Sequence, residues 1–167
     1  VAEVKRLLGA AVERLAATGA RDEALARFVP ARRKFLITRE ARMESLGRVW
    51  RLGVLLLGRD GTLYATGSTT RATEPGRTAY QSVSAEVRRG YRAAAHRSGF
   101  APGETVNFDA QPIVLEPRTI VGSAGPLVLL DDGAFVKWSE TSAALTPFAG
   151  YLDDRLGLLV DPPQGAT

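Results

Sequence analysis

The sequence predicts an α/β (α+β) domain in which a single mixed β-sheet carries helices packed on its faces. Three observations predict it. Apolar residues recur at helical spacing near both ends of the chain and again in its middle. Two runs rich in strand formers are interrupted by Asp-Gly turns and read as hairpins. The 167 residues and 45% hydrophobic content suit one core-forming domain, expected over residues 1–161 with a frayed tail at 162–167.

The first helix is expected over residues 1–18. Val1, Val4, Leu7, Leu8, Ala11, Val12 and Leu15 make one apolar stripe, and Gly19 is placed to end it. Asp22 can cap a second short helix with Leu25, Phe28 and Val29 facing inward, closed by Pro30. A short strand is expected from Phe35 to Thr38. The strongest local signal is a hairpin: Arg48 to Leu57, the turn Gly58-Arg59-Asp60-Gly61, and a return from Thr62 to Thr70. Val54-Leu55-Leu56-Leu57 is apolar on both faces, which marks a central strand covered on both sides.

After a loop with Pro75 and Gly76, Ser84 is expected to cap a helix running to Gly99. Its buried side would carry Val83, Val87, Tyr91, Ala94 and Ala95. Thr105 to Leu115 reads as a strand interrupted at Pro112, which favours an edge or a bulge. Leu127 to Leu130 and Ala134 to Trp138 flank Asp131-Asp132-Gly133 as a second hairpin. Thr146 is expected to cap a last helix, with Pro147 at its first position and Phe148, Leu152, Leu156 and Leu159 on its apolar side.

Composition excludes whole classes of chemistry. Without cysteine the chain can form no disulfide and run no thiol chemistry, and one histidine cannot assemble a conventional catalytic zinc site. No apolar run approaches the roughly 18 residues of a membrane span, and no basic start leads into a long apolar block, so no membrane partner and a cytoplasmic location are expected. Charge is uneven along the chain. Residues 1–100 hold 19 Lys/Arg against 9 Asp/Glu, and residues 101–167 hold 3 against 9. Such asymmetry can mark a nucleic-acid surface. Basic and acidic segments that fold against each other explain it as well, and nucleic acid is not the expected partner.

Three clusters could carry function. Thr105, Asn107, Asp109 and Gln111 alternate with apolar residues, so a strand here would turn four polar side chains to one face, suited to a small polar ligand. An edge strand with one wet face explains the same pattern. Gly67-Ser68-Thr69-Thr70-Arg71 sets hydroxyls beside an arginine, a pattern that could bind an anion or simply end a strand. Arg88, Arg92 and His96, with Arg89 beside them, are spaced to share a helix face where like charges repel. A phosphate or nucleic-acid backbone could compensate them, as could the acidic C-terminal third. Arg32-Arg33-Lys34 before Phe35 is too short for the interleaved basic and aromatic pattern of a nucleic-acid binder. No Gly-x-Gly-x-x-Gly, Walker-type loop or Gly-x-Ser-x-Gly elbow occurs.

The element order, with Ser84-Ala85-Glu86 opening the central helix, the hairpin Leu127 to Trp138 and Leu145-Thr146-Pro147-Phe148 near the end, resembles the cytidine-deaminase-like fold, a three-layer arrangement. That family opens the same helix with a zinc-ligating Cys or His followed by Ala-Glu. Here the ligand position is Ser84, a poor zinc ligand, and the family's Pro-Cys-x-x-Cys helix start has no counterpart. The resemblance therefore implies a zinc-free relative. Glu86, where the family keeps its proton-shuttling glutamate, would have no zinc-activated water to act on. A first-turn acidic residue complementing the helix dipole is the simpler role for it. Val49 to Arg71 and Gly103 to Ile113 also resemble actinobacterial proteins that carry a glutaminase label. The chain lacks the Ser-x-x-Lys nucleophile and the cysteine that such activities need.

The resulting expectation is a metal-free, cofactor-free domain that binds a small polar molecule or a protein partner, a second copy of itself included. Arg71, Asn107, Asp109 and Glu86 are the ligand candidates, and Arg88, Arg92 and His96 the basic face. A hydrolase using Asp109 or Glu86 as base, and nucleic-acid binding through the Arg88–Arg92 face, are the alternatives.

Overall fold

A computed structural model of the chain describes residues 1–34, 37–74, 82–116, 125–139 and 144–162. The chain divides into two compact units. One comprises Val1–Asp22, Val49–Thr66 and Gln111–Thr167; the other comprises Glu23–Arg48 and Gly67–Ala110.

The first unit opens with α1 (Ala2–Ala17), whose Val4, Leu8, Ala11 and Leu15 are buried at three- and four-residue steps, the stripe that the sequence predicts. The last four residues of β4 (Arg42–Leu52) belong here, followed by β5 (Leu55–Gly58), β6 (Leu63–Ala65) and β9 (Gln111–Pro112). β4–β5, β5–β6 and β6–β9 pair antiparallel. Leu55, Leu56 and Leu57 are completely buried, as expected for a central strand covered on both faces. Each contributes about 1.5–3 kcal/mol through burial. A separate antiparallel sheet, β10 (Leu127–Leu130), β11 (Gly133–Lys137) and β12 (Leu145–Pro147), contains the second expected hairpin. The closing helix α3 (Phe148–Val160) buries Phe148, Tyr151, Leu152 and Leu156 in the same core as α1, Trp50, Leu52 and Leu63.

The β4–β5 turn is held from outside the hairpin. Leu52 and Leu55 face each other, leaving Gly53 and Val54 as a two-residue turn. Gly53 has φ +68° and Val54 an ordinary φ, the pattern of a turn with glycine at its first central position. The buried Tyr151 hydroxyl donates to the Leu52 carbonyl and accepts from the Val54 N–H at 3.1 Å. A Cβ on Gly53 would stand 2.5 Å from that hydroxyl oxygen, so both conformation and space demand glycine. Burial pushes the phenol above its usual value, with the Val54 N–H and Arg155 acting against the rise. Arg155 lies 4.6 Å from the Trp138 ring centre and 5.6 Å from that of Tyr151.

The second unit contains β1 (Glu23–Val29), β2 (Arg32–Lys34), β3 (Ile37–Arg39), the start of β4, β7 (Ser68–Arg71), α2 (Val83–Arg97) and β8 (Thr105–Phe108). β1 runs parallel to β8, and β7 antiparallel to it. β2 and β3 form a two-stranded ribbon of their own. Ala24, Ala26 and Phe28 alternate along β1 and pack with Ala94, Ala95 and Tyr91 of α2, Val106 and Phe108. The alanines let the helix approach closely, and Tyr91 fills the remaining space. Its ring centre lies 4.9 Å from Phe28, edge to face, and 4.7 Å from Phe108. The end of α2 is tied down where Ser98 Oγ accepts from the Met43 N–H at 2.9 Å and Arg97 donates to the Ala41 carbonyl at 2.9 Å.

Seven strands hydrogen-bond in the order β7-β8-β1-β4-β5-β6-β9, with a parallel pair among antiparallel ones. The expected mixed sheet with packed helices is what the chain forms. Several local expectations are corrected. The helix expected after Asp22 is strand β1, because its alternating Ala24, Ala26 and Phe28 meet the core and β8 supplies main-chain partners. Arg48 to Leu57 is two strands folded at Gly53, and the return from Thr62 divides into β6 and β7. At Gly67, between them, a Cβ would lie 2.4 Å from the Phe108 carbonyl oxygen. The expected strand from Thr105 to Leu115 breaks at Asp109, which has φ 57°.

Helix ends differ as well. The helix of Ser84 starts from Ser82, and only its C-terminal half is buried: Val83 is 80% exposed and Val87 49%. Thr146 lies in β12 rather than capping the last helix, whose N-cap is Pro147. Phe35, the loop with Pro75 and Gly76, and residues 163–167 of the tail lie outside the described residues.

Gly53→Ala is expected to destabilise the protein by about 2 kcal/mol or more, from the left-handed backbone penalty together with the clash at Tyr151. Denaturant titration checks this against Gly61→Ala, which carries the same kind of φ and no neighbour within 4 Å. Tyr151→Phe is expected to cost about 1–3 kcal/mol at neutral pH by leaving buried main-chain groups unmatched. Because folding raises the Tyr151 value, its contribution is complete below the ordinary tyrosine range near ~10 and is lost as pH rises through the folded value. The stability gap between wild type and Tyr151→Phe should therefore shrink in alkali, and a gap constant with pH would refute the assignment.

Candidate functional site

In the second unit, β7 and α2 border a cleft of about 520 Å³. Thr69, Thr70 and Arg71 of β7 line it with Thr73 just beyond that strand, with Arg88, Tyr91 and Arg92 of α2, and with Thr105 of β8. The size lies within the range of small-molecule sites. Local structure positions each group. Arg88, Tyr91 and Arg92 stand at helical steps of three and four, so all three meet the cleft from one face of α2. Tyr91 is anchored by Phe28 and Phe108 beneath it. Arg71 closes β7 opposite Thr105, and the next residues are fixed by main-chain bonds from Ala72 N–H to Glu104 at 2.9 Å and from Gly103 N–H to Ala72 at 2.8 Å. β7 is also terminal in the strand order, so among the described residues its outer edge has no strand neighbour.

Four other arginines of the same unit meet carboxylates: Arg27 and Arg42 both reach Glu44, Arg48 reaches Glu104, and Arg97 lies 3.2 Å from Glu40. Among the described residues, Arg71, Arg88 and Arg92 have no ion pair and no carboxylate lines the cleft. Two of these arginines are four apart on one helix, where like charges cost a few tenths of a kcal/mol. Three arginines, four threonines and a tyrosine thus line one space with donors and, among the described residues, no counter-charge. Among the described residues the lining holds no histidine, carboxylate or serine. No group of three His, Cys, Asp or Glu that could hold a metal occurs among the described residues.

The residues singled out from the sequence are distributed unevenly. Arg71, Arg88 and Arg92, which the sequence suggests in two separate clusters, meet in this cleft. Asn107 is buried and committed internally: its amide donates to Glu23 at 2.8 Å and to the Ala24 carbonyl at 3.1 Å. Asp109 is exposed in the turn after β8, and Gln111 belongs to the other unit, so Thr105, Asn107, Asp109 and Gln111 do not form one polar strand face. Glu86 is exposed in the first turn of α2, and His96 is exposed one turn beyond Arg92; neither lines the cleft. Ser84 is exposed, with its hydroxyl 3.2 Å from that of Ser82.

The run Ser68-Thr69-Thr70-Arg71 carried the signal for three of the eight described lining residues, and the Arg88–Arg92 spacing for two more. Tyr91, Thr73 and Thr105 were not legible as lining, because their roles depend on how α2 lies over β7 and β8. Comparison with known proteins finds no family model, no curated protein and no solved structure that matches the chain.

Proposed function

We propose that the second unit binds a small polar ligand carrying a phosphate or carboxylate group, with the β7–α2 cleft as its seat. The single observation that carries this reading is the convergence of Arg71, Arg88 and Arg92 on one cleft with no carboxylate partner among the described residues. An anion removes the mutual repulsion of the helix pair, and guanidinium forks match its oxygens two at a time. Thr69, Thr70, Thr73 and Thr105 supply neutral hydroxyls for the remaining oxygens. The described lining supplies groups suited to recognising an anion.

Thermal unfolding of the full chain at low salt, with inorganic phosphate, pyrophosphate and citrate in turn, tests this. At least one anion is expected to raise the melting temperature by several degrees near one hundred times its dissociation constant. Arg88→Ala with Arg92→Ala should abolish that shift while leaving the ligand-free protein unchanged or stabilised by a few tenths of a kcal/mol. Arg71→Ala should weaken binding about 10- to 100-fold, the effect of one charged hydrogen-bonding group. If no anion shifts the wild type, or the variants respond as the wild type does, the cleft is not an anion site.

A further inference from the structure

The positive charge of the chain is concentrated in the second unit, which holds 13 Lys/Arg against 7 Asp/Glu, while the first holds 9 against 11. Its arginines without a carboxylate partner fall mainly in two places. One is the cleft. The other is the β2–β3 ribbon, where Arg32, Arg33 and Arg39 have no ion pair among the described residues and are all exposed. Arg32 and Arg39 are directly opposed across the two strands, an arrangement of like charges that destabilises a ribbon. The carboxylates nearby in sequence are taken by others: Glu40, next to Arg39, pairs with Arg97, and Glu44 with Arg27 and Arg42.

We propose that the β2–β3 ribbon is an arm that enters the groove of a double-helical nucleic acid and contacts phosphates on both walls. Two features select this partner. The ribbon forms a sheet by itself, and Arg32, Arg33, Thr38 and Arg39 are exposed on it, so these residues give it no buried face; a two-stranded ribbon of this kind gains from a partner. Second, the charge is on both faces. Arg32 and Arg39, being paired, project to one side, and Arg33, paired with Thr38, to the other. A flat acidic surface, whether a lipid headgroup layer or a protein, meets one face only. The major groove of a double helix admits a two-stranded ribbon and presents phosphate on either side of it. This inference does not rest on the cleft, and either can hold without the other.

Fluorescence anisotropy of the full chain with a labelled duplex of about 24 base pairs tests it. The affinity supplied by three arginine–phosphate contacts should fall roughly 40-fold between 50 and 200 mM salt, a slope of about −0.9 per contact. Arg32→Ala with Arg39→Ala, and Arg33→Ala alone, should each reduce both affinity and slope, because both faces are engaged. Replacing all three by Lys should keep most of the slope, which separates loss of charge from loss of fold; circular dichroism checks that every variant remains folded. Arg71→Ala with Arg88→Ala, in the cleft, should leave duplex binding unchanged, so failure of the anion site and of the arm are read separately. The proposal is overturned if the duplex does not bind at 50 mM salt, or if the arginine variants bind as tightly as the wild type. It is equally overturned if Arg33→Ala is silent, which indicates a flat partner, or if vesicles containing phosphatidylserine bind through the ribbon and the duplex does not.

Discussion

The phenol of Tyr151 is the contact on which the organisation of the first unit turns. It comes from α3, far along the chain, and supplies both a donor and an acceptor to the main chain of a two-residue turn. Only a glycine at position 53 leaves room for it. By holding the β4–β5 turn it sets the register that buries Leu52, Leu55 and Leu57 against α1 and α3. A shift of one residue would move every one of these side chains to the other face. The apolar stripe of α1 and the leucines of β5 provide the driving force. The hydrogen bonds at Gly53 select one arrangement from those the leucines alone would tolerate.

The second unit solves a different problem. Its core is built largely from alanines, which contribute less burial per residue than leucine but let a helix lie close to strands. The aromatic group of Phe28, Tyr91 and Phe108 compensates for that economy of side-chain volume. One consequence is electrostatic. α2 reaches the core only through its C-terminal half, so its arginines stand at the margin of the packed region and beside the edge strand β7. The face that would be buried in a longer contact is instead the wall of a cleft.

Pairing of charges follows the same logic. Where arginines lie near the carboxylates of Glu44 and Glu104 they are neutralised, and pairs at the surface of this kind contribute little to stability. Around the cleft and along the β2–β3 ribbon they are not. Unpaired cations that repel one another favour whatever anion can reach them. The two differ in shape: one is a cleft between a strand and a helix, the other a narrow ribbon with charge on both faces.

By itself the sequence determined the class of fold, α1, the leucine-rich central strand, the hairpin turns at Gly58–Gly61 and Asp131–Gly133, and the apolar side of the last helix. Those features follow from periodicity and turn chemistry, which are local. It also marked Arg71 with its hydroxyl neighbours and the Arg88–Arg92 pair, though as two separate clusters. Tertiary structure alone decided that residues 23–29 form a strand, since their alternating small residues are ambiguous until β8 offers a parallel partner. It decided that Asn107 is an internal tie rather than a ligand group, because a strand pattern shows which residues share a face but not which face is covered. And it joined the two arginine clusters into one cleft. Convergence of charges distant in sequence depends on how a helix lies over strands, and no spacing along the chain encodes that.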